Sequence, residues 1–519
     1  MISKVGLVKF FKTAGCLFLG LVVLFPAKNF CATIVDWQTK YKNAVVKLVV
    51  TRNNYNWLEP YKKSETINVC GSGFFIDDAG HFLTNFHVVE SAVKIQIQLS
   101  AMGQEKLDCA VVGACPDLDI ALLKISDVAK DKIKKTTGNL VYFSLGDSDK
   151  LGRGVAVTTL GFPLNTDVMK VTSGIVSGWE TYAMPGRLMP CASVSCFEIT
   201  APINPGSSGG PALNEKGEVI GINFSGIGRA QNVGYVLPIN ELTVAINLLF
   251  KNKLLFFPVW GSLFHQTNSA FADCFRCPCG GCYVGEVWGF LAKDLGLCAG
   301  DMVCAINDYP VDCYVNALFP WRDDKVNFAT LLPRLAPESR LSVTFYRNGE
   351  RKQASCSIKY DNKTFKMREF FPHYENIDYE IFGGLVIMEL NVNHYQAFAK
   401  LGASQSLNLM AACLVPDNFN KSELVITAVQ ETSLAAEGKA FFPPGWLLKK
   451  VNGNSVSTIA ELRTELKAGL AKDFLTITND VHMVWVFETA KLIEDEKRLA
   501  TLFGYDATNS LALAKALKK

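Results

Sequence analysis

Three residues of the sequence could together carry out nucleophilic acyl transfer. Ser208 lies in the glycine-rich run 204–211, where small neighbours let main-chain amides approach a reacting carbonyl group. His87 lies at the end of a predicted strand in the segment 83–89, and Asp119 opens an apolar run. Acyl transfer needs a hydroxyl nucleophile, an imidazole that takes its proton and a carboxylate that fixes the imidazole tautomer. We therefore predict Ser208 as nucleophile, His87 as general base and Asp119 as the residue that orients His87.

Each of these residues also has an ordinary structural interpretation. Glycine and serine fill turns and linkers, a single histidine beside a strand is often a core residue, and an aspartate before a strand often caps a turn. The combination favours catalysis, because neither a turn nor a core requires a serine, an imidazole and a carboxylate together.

The elements around these residues are short and rich in β-forming residues. From Ala44 to about Gly221, apolar runs are broken at regular intervals by Gly, Pro, Asn and Asp, which is typical of a barrel or sandwich. A helix is predicted at 239–249. The rhythm of strand, helix and strand at 281–311 returns at 424–456, so two related modules of about 100 residues follow the β domain.

The bulk composition agrees with several globular domains. The chain has 519 residues, of which 49% are hydrophobic, enough for more than one buried core. We expect three folded domains. The formal net charge is +3, and four lysines that precede Ala32 account for this excess. A nearly neutral remainder argues against a general nucleic-acid-binding surface.

The N-terminus is typical of a secretory signal peptide, predicted over residues 1–32. Lysines precede an apolar run at 14–25, which is shorter than the roughly 20 residues of a membrane-spanning helix. Phe30 is larger than the residue preferred three positions before a cut at Ala32, so a retained membrane anchor stays open as the alternative. Either outcome predicts an exported protein, periplasmic or extracellular.

Six segments resemble the Deg/HtrA serine proteases. They begin, in chain order, at Gly71, Thr84, Asp119, Leu145, Thr172 and Asn204. The matches cover most of residues 44–250, and the order of histidine, aspartate and serine is that of chymotrypsin-type enzymes. The resemblance implies a mostly β chain: a chymotrypsin-like double β-barrel protease domain followed by two α+β PDZ-like domains, closest to the long plant-type Deg proteases.

The same resemblance assigns further roles around Ser208. The main-chain N–H groups of Gly206 and Ser208 would form the oxyanion hole. Ile203 and Ile227 would line the pocket for the residue before the cut, which implies cleavage after small aliphatic residues. No metal or organic cofactor is implied.

The implied domain organisation divides the chain into five parts. These are a signal peptide at 1–32, a trypsin-like protease domain at 33–250, a PDZ domain at 255–360, a PDZ-like domain at 370–490 and a helical tail at 491–519. PDZ domains bind C-terminal or extended peptides on an exposed sheet edge. The carboxylate-binding loop is expected at Gly281, Cys282, Tyr283 and Val284.

Cysteine is unusually frequent, with 16 residues in the chain, and export would allow disulfides to persist. Two short-spaced pairs could close loops: Cys109 with Cys115 and Cys191 with Cys196. Four thiols also lie close together in the sequence, at Cys274, Cys277, Cys279 and Cys282. Their spacing is compatible with a zinc or iron–sulfur site, but two disulfides are the preferred interpretation.

The resemblance thus implies a serine endopeptidase that degrades unfolded or damaged exported proteins. Its partners would be these substrates and their C-terminal peptides, without nucleic acid, and the chain would form a homo-oligomer, a trimer or a multiple of one. Peripheral membrane association stays open. The alternatives are a chaperone or a PDZ scaffold in which the proteolytic site is silent.

Overall fold

A computed structural model describes residues 41–183, 193–224, 233–360, 365–402, 405–438 and 442–505. The predicted signal peptide, the pocket residue Ile227 and the end of the helical tail lie outside these ranges. Among the described residues, no helix is both long enough and apolar enough to cross a membrane.

The first domain begins with a closed barrel, which has six strands in the described chain. They are β1 (Val45–Asn53), β2 (Thr66–Phe75), β3 (His81–Thr84), β4 (Ala92–Gln98), β5 (Leu107–Cys115) and β6 (Ile120–Ile125), paired around the barrel in the order β1-β2-β3-β6-β5-β4. Alternate residues of β1, Val46, Leu48 and Val50, enter the core because side chains of a strand alternate between faces. Two helices belong to this barrel: α1 (Phe86–Val89) and α2 (Asp127–Thr137).

A second closed barrel follows, also built from six strands of the described ranges. They are β7 (Ala156–Gly161), β8 (Lys170–Ala183), β9 (Ser193–Ile199), β10 (Pro211–Leu213), β11 (Val219–Phe224) and β12 (Gly234–Pro238), in the order β10-β11-β12-β9-β8-β7. Helix α3 (Ile239–Leu249) closes the domain, as the sequence predicted. The predicted fold class, mostly β with a double barrel, is confirmed.

The first C-terminal domain, residues 260–358, is a sheet with short helices. Its elements are β13 (Ser262–His265), α4 (Ser269–Cys274), β14 (Cys282–Val287), α5 (Phe290–Asp294), β15 (Met302–Ile306), β16 (Tyr309–Pro310), β17 (Asn316–Ala317), β18 (Val326–Asn327), a 3-10 helix (Phe328–Arg334), β19 (Arg340–Arg347) and β20 (Glu350–Ser357). The main sheet has the order β13-β14-β15-β19-β20, so β13 lies at its edge.

The second C-terminal domain, residues 365–505, also combines a sheet with helices. Its elements are β21 (Tyr379–Phe382), β22 (Leu385–Glu389), α6 (Val392–Lys400), α7 (Gln405–Leu414), β23 (Leu424–Val429), α8 (Leu434–Glu437), β24 (Leu447–Val451), β25 (Asn454–Ser455), α9 (Ile459–Gly469), β26 (Phe474–Asn479), β27 (Val484–Glu488) and α10 (Thr489–Phe503). The sheet order is β21-β22-β23-β24-β26-β27. The helical tail thus begins two residues before the predicted position 491.

Arg322 of the first C-terminal domain inserts into the second barrel. Its guanidinium forms an ion pair with Glu241 of α3, and the two side chains are 1% and 2% exposed. The same group donates a hydrogen bond of 3.0 Å to Ser195 Oγ and lies 3.5 Å from the ring centroid of Trp179. The contact therefore joins this domain to strands β8 and β9 of the second barrel.

We expect Arg322→Ala to lower the free energy of unfolding by about 3–5 kcal/mol, because the buried Glu241 carboxylate then keeps only the more distant Arg334, at 3.7 Å, to compensate its charge. Burial raises the pKa of Glu241 to about 7, although Arg322 and Arg334 lower it. A raised pKa favours folding at acidic pH, so the loss should grow as the pH rises through neutrality. Thermal unfolding of the full chain at acidic and alkaline pH measures this.

Arg153→Ala is the matched control for this prediction. Arg153 pairs with Asp324 across the same two domains, but the two side chains are 51% and 52% exposed. An exposed ion pair contributes about 1 kcal/mol or less. Equal losses in the two variants would contradict the claim that burial makes the Arg322 contact important.

Candidate active site

His87 and Asp119 meet at the ends of two paired strands. His87 lies in α1, directly after β3, and Asp119 directly precedes β6, which pairs with β3. His87 Nδ1 is 2.7 Å from Asp119 Oδ2, and the main-chain N–H of His87 donates to Oδ1 at 2.7 Å. Asp119 adopts a left-handed backbone conformation (φ 49°), which turns its carboxylate towards the histidine. The structure thus brings together two of the three residues predicted from sequence.

Additional contacts hold Asp119 in place. Asn85 Nδ2 donates a hydrogen bond of 3.0 Å to the Asp119 carbonyl, and the Phe86 N–H donates to the same oxygen at 3.1 Å. The Asp119 side chain is 2% exposed, whereas that of His87 is 41% exposed. An ionised carboxylate only accepts hydrogen bonds, so Nδ1 carries the proton and Nε2 is the basic nitrogen of the neutral ring.

The charge of Asp119 raises the pKa of His87. Burial alone would lower the pKa of His87, but the negative charge of Asp119 and its hydrogen bond outweigh burial, so the pKa is raised above its ordinary value. A raised pKa favours the imidazolium, the form that His87 takes after it has accepted a proton. The pair is therefore suited to general-base catalysis.

Ser208 lies on a turn that packs against the strand end that leads to His87. A side chain at Gly209 would place its Cβ 2.2 Å from both Ser72 O and Thr84 Oγ1, and 3.1 Å from the Asn85 N–H. Gly209 has φ 86°, so both backbone conformation and close contact require glycine. The turn thus brings Ser208 to the region of the domain that holds His87 and Asp119.

The Gly206 amide, predicted for the oxyanion hole, belongs to a peptide unit held by a hydrogen bond. Pro205 O accepts a bond of 2.7 Å from the Leu164 N–H. Because the C=O and N–H of a trans peptide point in opposite directions, this contact turns the Gly206 N–H away from Leu164. Gly206 has φ 97°, and its own carbonyl accepts a bond of 2.7 Å from Ser72 Oγ. Its orientation is therefore set on both sides.

The Ser208 amide is oriented in the same way. Ser207 O accepts a hydrogen bond of 3.0 Å from the Gly210 N–H, so the Ser208 N–H points to the opposite side of that peptide. Ser208 O in turn accepts a bond of 2.8 Å from the Ser72 N–H. Both amides therefore have fixed orientations, which is one requirement of an oxyanion hole.

Ser72 holds parts of the candidate site together, and sequence reasoning assigned it no role. Its hydroxyl accepts a bond of 2.9 Å from the Phe162 N–H and donates to Gly206 O, which links the two barrels across the site. Ser72 is fully buried, in the middle of the Gly71–Gly73 segment. That segment is one of those that carry the family resemblance. The signal available in the sequence was a serine between two glycines at the start of an apolar run.

The substrate pocket is described in part. Ile203 is partly buried against the core of the second barrel, and a Cβ at Gly234 would lie 2.8 Å from its side chain. Ile227 lies outside the described residues. The preference for small aliphatic residues therefore stays a prediction.

The prediction of a carboxylate-binding loop at four residues is wrong, because the segment is not an open sheet edge. These residues are Gly281, Cys282, Tyr283 and Val284. These residues lead into β14, which pairs with β13 on one side and β15 on the other. Cys282 and Val284 are fully buried, and a Cβ at Gly281 would lie 1.8 Å from Val303 O. A bound peptide cannot add a strand here, because both neighbouring positions are occupied.

One edge of this sheet is β13, which lies beside a cavity of about 210 Å³. Trp260, Ser262, Trp288 and Phe328 contribute to its lining. Within the described ranges, the indole N–H groups of Trp260 and Trp288 are buried and have no acceptor. Donors of this kind could receive an oxygen atom of a ligand.

The cysteines pair differently from the predictions. Cys279 forms a disulfide with Cys304 of β15, and the Cys277 sulfur lies beside both. Cys274 and Cys282 are not part of this group. Cys109 and Cys115 lie six positions apart in strand β5, roughly 20 Å in an extended chain, and a disulfide needs Cα atoms within about 7 Å. Cys191 lies outside the described residues.

The second C-terminal domain reaches the helix that carries His87. Phe371 is buried in the core of the first barrel, with its ring centroid 5.2 Å from that of Phe86 in α1. Tyr374 lies 5.7 Å from Phe86, and its hydroxyl is 3.4 Å from Val89 O. Phe371 and Tyr374 therefore support α1 from behind.

We expect Phe371→Ala to destabilise the chain by about 3–5 kcal/mol through loss of buried aromatic volume. The substitution leaves a cavity next to α1, the helix that carries His87, and so loosens the position of the imidazole. We therefore expect kcat for peptide hydrolysis to fall as well, by roughly tenfold to a hundredfold. Thermal unfolding and steady-state kinetics test both effects.

Phe365→Ala provides the control. Phe365 is buried in a different cluster, 4.0 Å from Phe290 and 5.8 Å from Phe419 by ring centroids. It should destabilise the chain without a comparable loss of kcat. A similar loss of kcat in both variants would show that support of α1 is not the cause.

Comparison with known proteins supports a trypsin-like peptidase domain. The family model of that description matches residues 71–222. "Probable periplasmic serine endoprotease DegP-like" of Pseudomonas putida (strain GB-1) is 32% identical over 294 residues, which are 56% of this chain and 55% of the relative. "Protease Do-like 2, chloroplastic" of Arabidopsis thaliana is 29% identical over 328 residues, 62% of this chain and 51% of the relative.

The chain is thus similar to serine proteases of the Deg/HtrA type. It spans about half the length of the curated relatives it matches. A solved structure, "HtrA-type protease AlgW with decapeptide", is also similar, with a TM-score of 0.48, 21% identity and coverage of 63% of this chain and 98% of that chain.

Proposed function

We propose that this protein is a serine endopeptidase in which Ser208 attacks the peptide carbonyl. The observation that carries the proposal is the 2.7 Å contact between His87 Nδ1 and Asp119 Oδ2, beside the turn of Ser208. His87 takes the hydroxyl proton through Nε2 and later delivers it to the leaving amine. The amides of Gly206 and Ser208 stabilise the oxyanion. This chemistry requires no metal or organic cofactor.

The proposed substrates are unfolded or damaged proteins, cut after small aliphatic residues. An extended segment can enter the site, whereas a folded one cannot, because hydrolysis needs the carbonyl beside both Ser208 and the oxyanion amides. Ile203 supports the small pocket from one side, and Ile227 is proposed for another. Cleavage of peptides with valine, lysine or aspartate before the cut tests the preference, and faster cleavage after lysine would contradict it.

We further propose that β13 and its cavity bind peptide. An extended peptide can pair with the edge strand β13 while an apolar side chain enters the cavity. The buried indole N–H groups of Trp260 and Trp288 favour a ligand with acceptor oxygens, such as a peptide carbonyl or a C-terminal carboxylate. This site replaces the loop expected at Gly281.

An exported location and self-association complete the proposal. The basic and apolar N-terminus supports export, and relatives carry the names periplasmic and chloroplastic. A homo-oligomer, a trimer or a multiple of one, follows from family resemblance and is measured by light scattering.

Hydrolysis of unfolded casein by the purified full chain tests the proposed activity. A fluorophosphonate, which reacts with an activated serine, should stop hydrolysis and label the peptide that contains Ser208. If casein stays intact and the reagent does not label the chain, the endopeptidase proposal fails. Suppression of client aggregation in that case would favour the chaperone alternative.

A further inference from the structure

Three cysteine sulfurs converge at one end of the first C-terminal domain. Cys277 Sγ lies 3.1 Å from Cys279 Sγ and 3.5 Å from Cys304 Sγ, and the three atoms are all within 4.8 Å of one another. Cys277 and Cys279 are on the loop after α4, whereas Cys304 is in the middle of β15. The Cys279–Cys304 disulfide uses two of these sulfurs and leaves the third beside it.

Hydrogen bonds hold the loop that carries Cys277. The Cys277 N–H donates a hydrogen bond of 2.8 Å to Ala272 O, and Cys277 O accepts one of 3.3 Å from the Gly280 N–H. Thr267 Oγ1 lies 3.1 Å from Gly280 O and 2.6 Å from Gly281 O, and so fixes these peptide units.

The surroundings of the three sulfurs are apolar. Cys277 and Cys304 are buried with Met302, and four aromatic side chains pack against them. These side chains are Phe271, Phe275, Tyr283 and Tyr346. A thiolate in such a place is unfavourable unless a positive charge compensates it. Cys279 is exposed, so a cation can reach the group from solvent.

We propose that Cys277, Cys279 and Cys304 bind one thiophilic cation, Zn²⁺ or Cu⁺, through three thiolates. Thiolate ligands select these ions over hard cations. Within the described residues the group offers three ligands, which leaves one position of a tetrahedral Zn²⁺ for water or a small ligand. This set differs from the one considered from sequence, because β15 supplies Cys304 in place of Cys274 and Cys282.

Cation binding requires the reduced group. A dithiol reductant transfers two electrons and two protons to the Cys279–Cys304 bond, which gives two thiols, while the dithiol closes to its own disulfide. The cation then displaces the protons of the three thiols. The disulfide and the cation are therefore alternative states of the same three residues.

The experiment uses the full chain with Ser208→Ala, so its result does not depend on peptidase activity. The chain is reduced by a dithiol without oxygen, freed of reductant, exposed to Zn²⁺ or Cu⁺ in separate samples, and desalted. Metal per chain is then measured by mass spectrometry. We expect one equivalent to be retained, and Cys277→Ser and Cys304→Ser to weaken its affinity by more than about tenfold.

Cys274→Ser and Cys298→Ser are matched controls, because both residues are exposed and lie outside the group. They should retain the metal. Alkylation of the parent chain, mapped on its peptides, gives a readout that needs no substitution in the group: the cation should protect Cys277, Cys279 and Cys304. No retained metal, protection of other cysteines, or equal binding by Cys277→Ser would overturn the proposal.

Discussion

Ser208→Ala is expected to abolish hydrolysis of unfolded casein, with kcat reduced by about a millionfold. Alanine removes the hydroxyl that attacks the carbonyl, while His87, Asp119 and the oxyanion amides stay in place. The turn should also stay folded, because its contacts with Ser72 and Asn223 are made by main-chain atoms of Ser208 and its neighbours. Initial rates of casein cleavage, followed to low residual activity, measure the effect.

Ser207→Ala is the matched control for the nucleophile. It removes a hydroxyl from the neighbouring residue, which is also buried. The contacts of Ser207 with Asn204 and Gly210 are made by main-chain atoms and are kept. Its activity should stay within a few fold of the parent chain, roughly the range of a substitution that leaves the reacting groups intact. If Ser207→Ala were inactive and Ser208→Ala active, the nucleophile would be Ser207 and the assignment of Ser208 would be wrong.

The barrels and the candidate site could be predicted because their signals are local. The runs around His87, Asp119 and Ser208 combine a strand with a turn, and each is read within a few residues. The contact between His87 and Asp119 then follows from the pairing of β3 with β6. The family resemblance indicated that these three residues belong to one site, which local patterns alone do not show.

The peptide-binding edge was predicted wrongly for a reason of topology. The segment at Gly281 has the glycine and apolar residues of a binding loop, but whether a strand is central or at an edge depends on which strands pair with it. β13 occupies the edge because it pairs back onto β14, and its residues carry no marker of that position.

The cysteine group and the support of α1 depend on contacts that are distant in sequence. Cys304 follows Cys279 by 25 positions and meets it because β15 pairs with β14. Tyr374 reaches Val89 across 285 positions. Apolar and aromatic residues of this kind can pack in any core. Their sequence pattern therefore predicts that they are buried, but not which residues they contact.

Asp119→Asn is expected to lower kcat by about ten-thousandfold, the second largest effect that we predict. Asparagine keeps the size of the side chain but removes the negative charge, and its amide can hold the imidazole in the wrong tautomer. The contact that changes is the 2.7 Å pair of Asp119 Oδ2 with His87 Nδ1. Single-turnover and steady-state cleavage of a peptide substrate measure the loss.

The pH profile of Asp119→Asn distinguishes an orienting carboxylate from a merely structural one. His87 acts as a base when neutral, so kcat/KM rises with pH through the pKa of His87 in the free enzyme. Burial lowers that pKa, and Asp119 raises it above the ordinary value. Removal of the charge should therefore move the acid limb of the residual activity to lower pH. Asp117→Asn, in the same turn but bonded to the Phe257 N–H, should leave the limb in place. An unshifted limb in Asp119→Asn would mean that Asp119 does not set the proton affinity of His87.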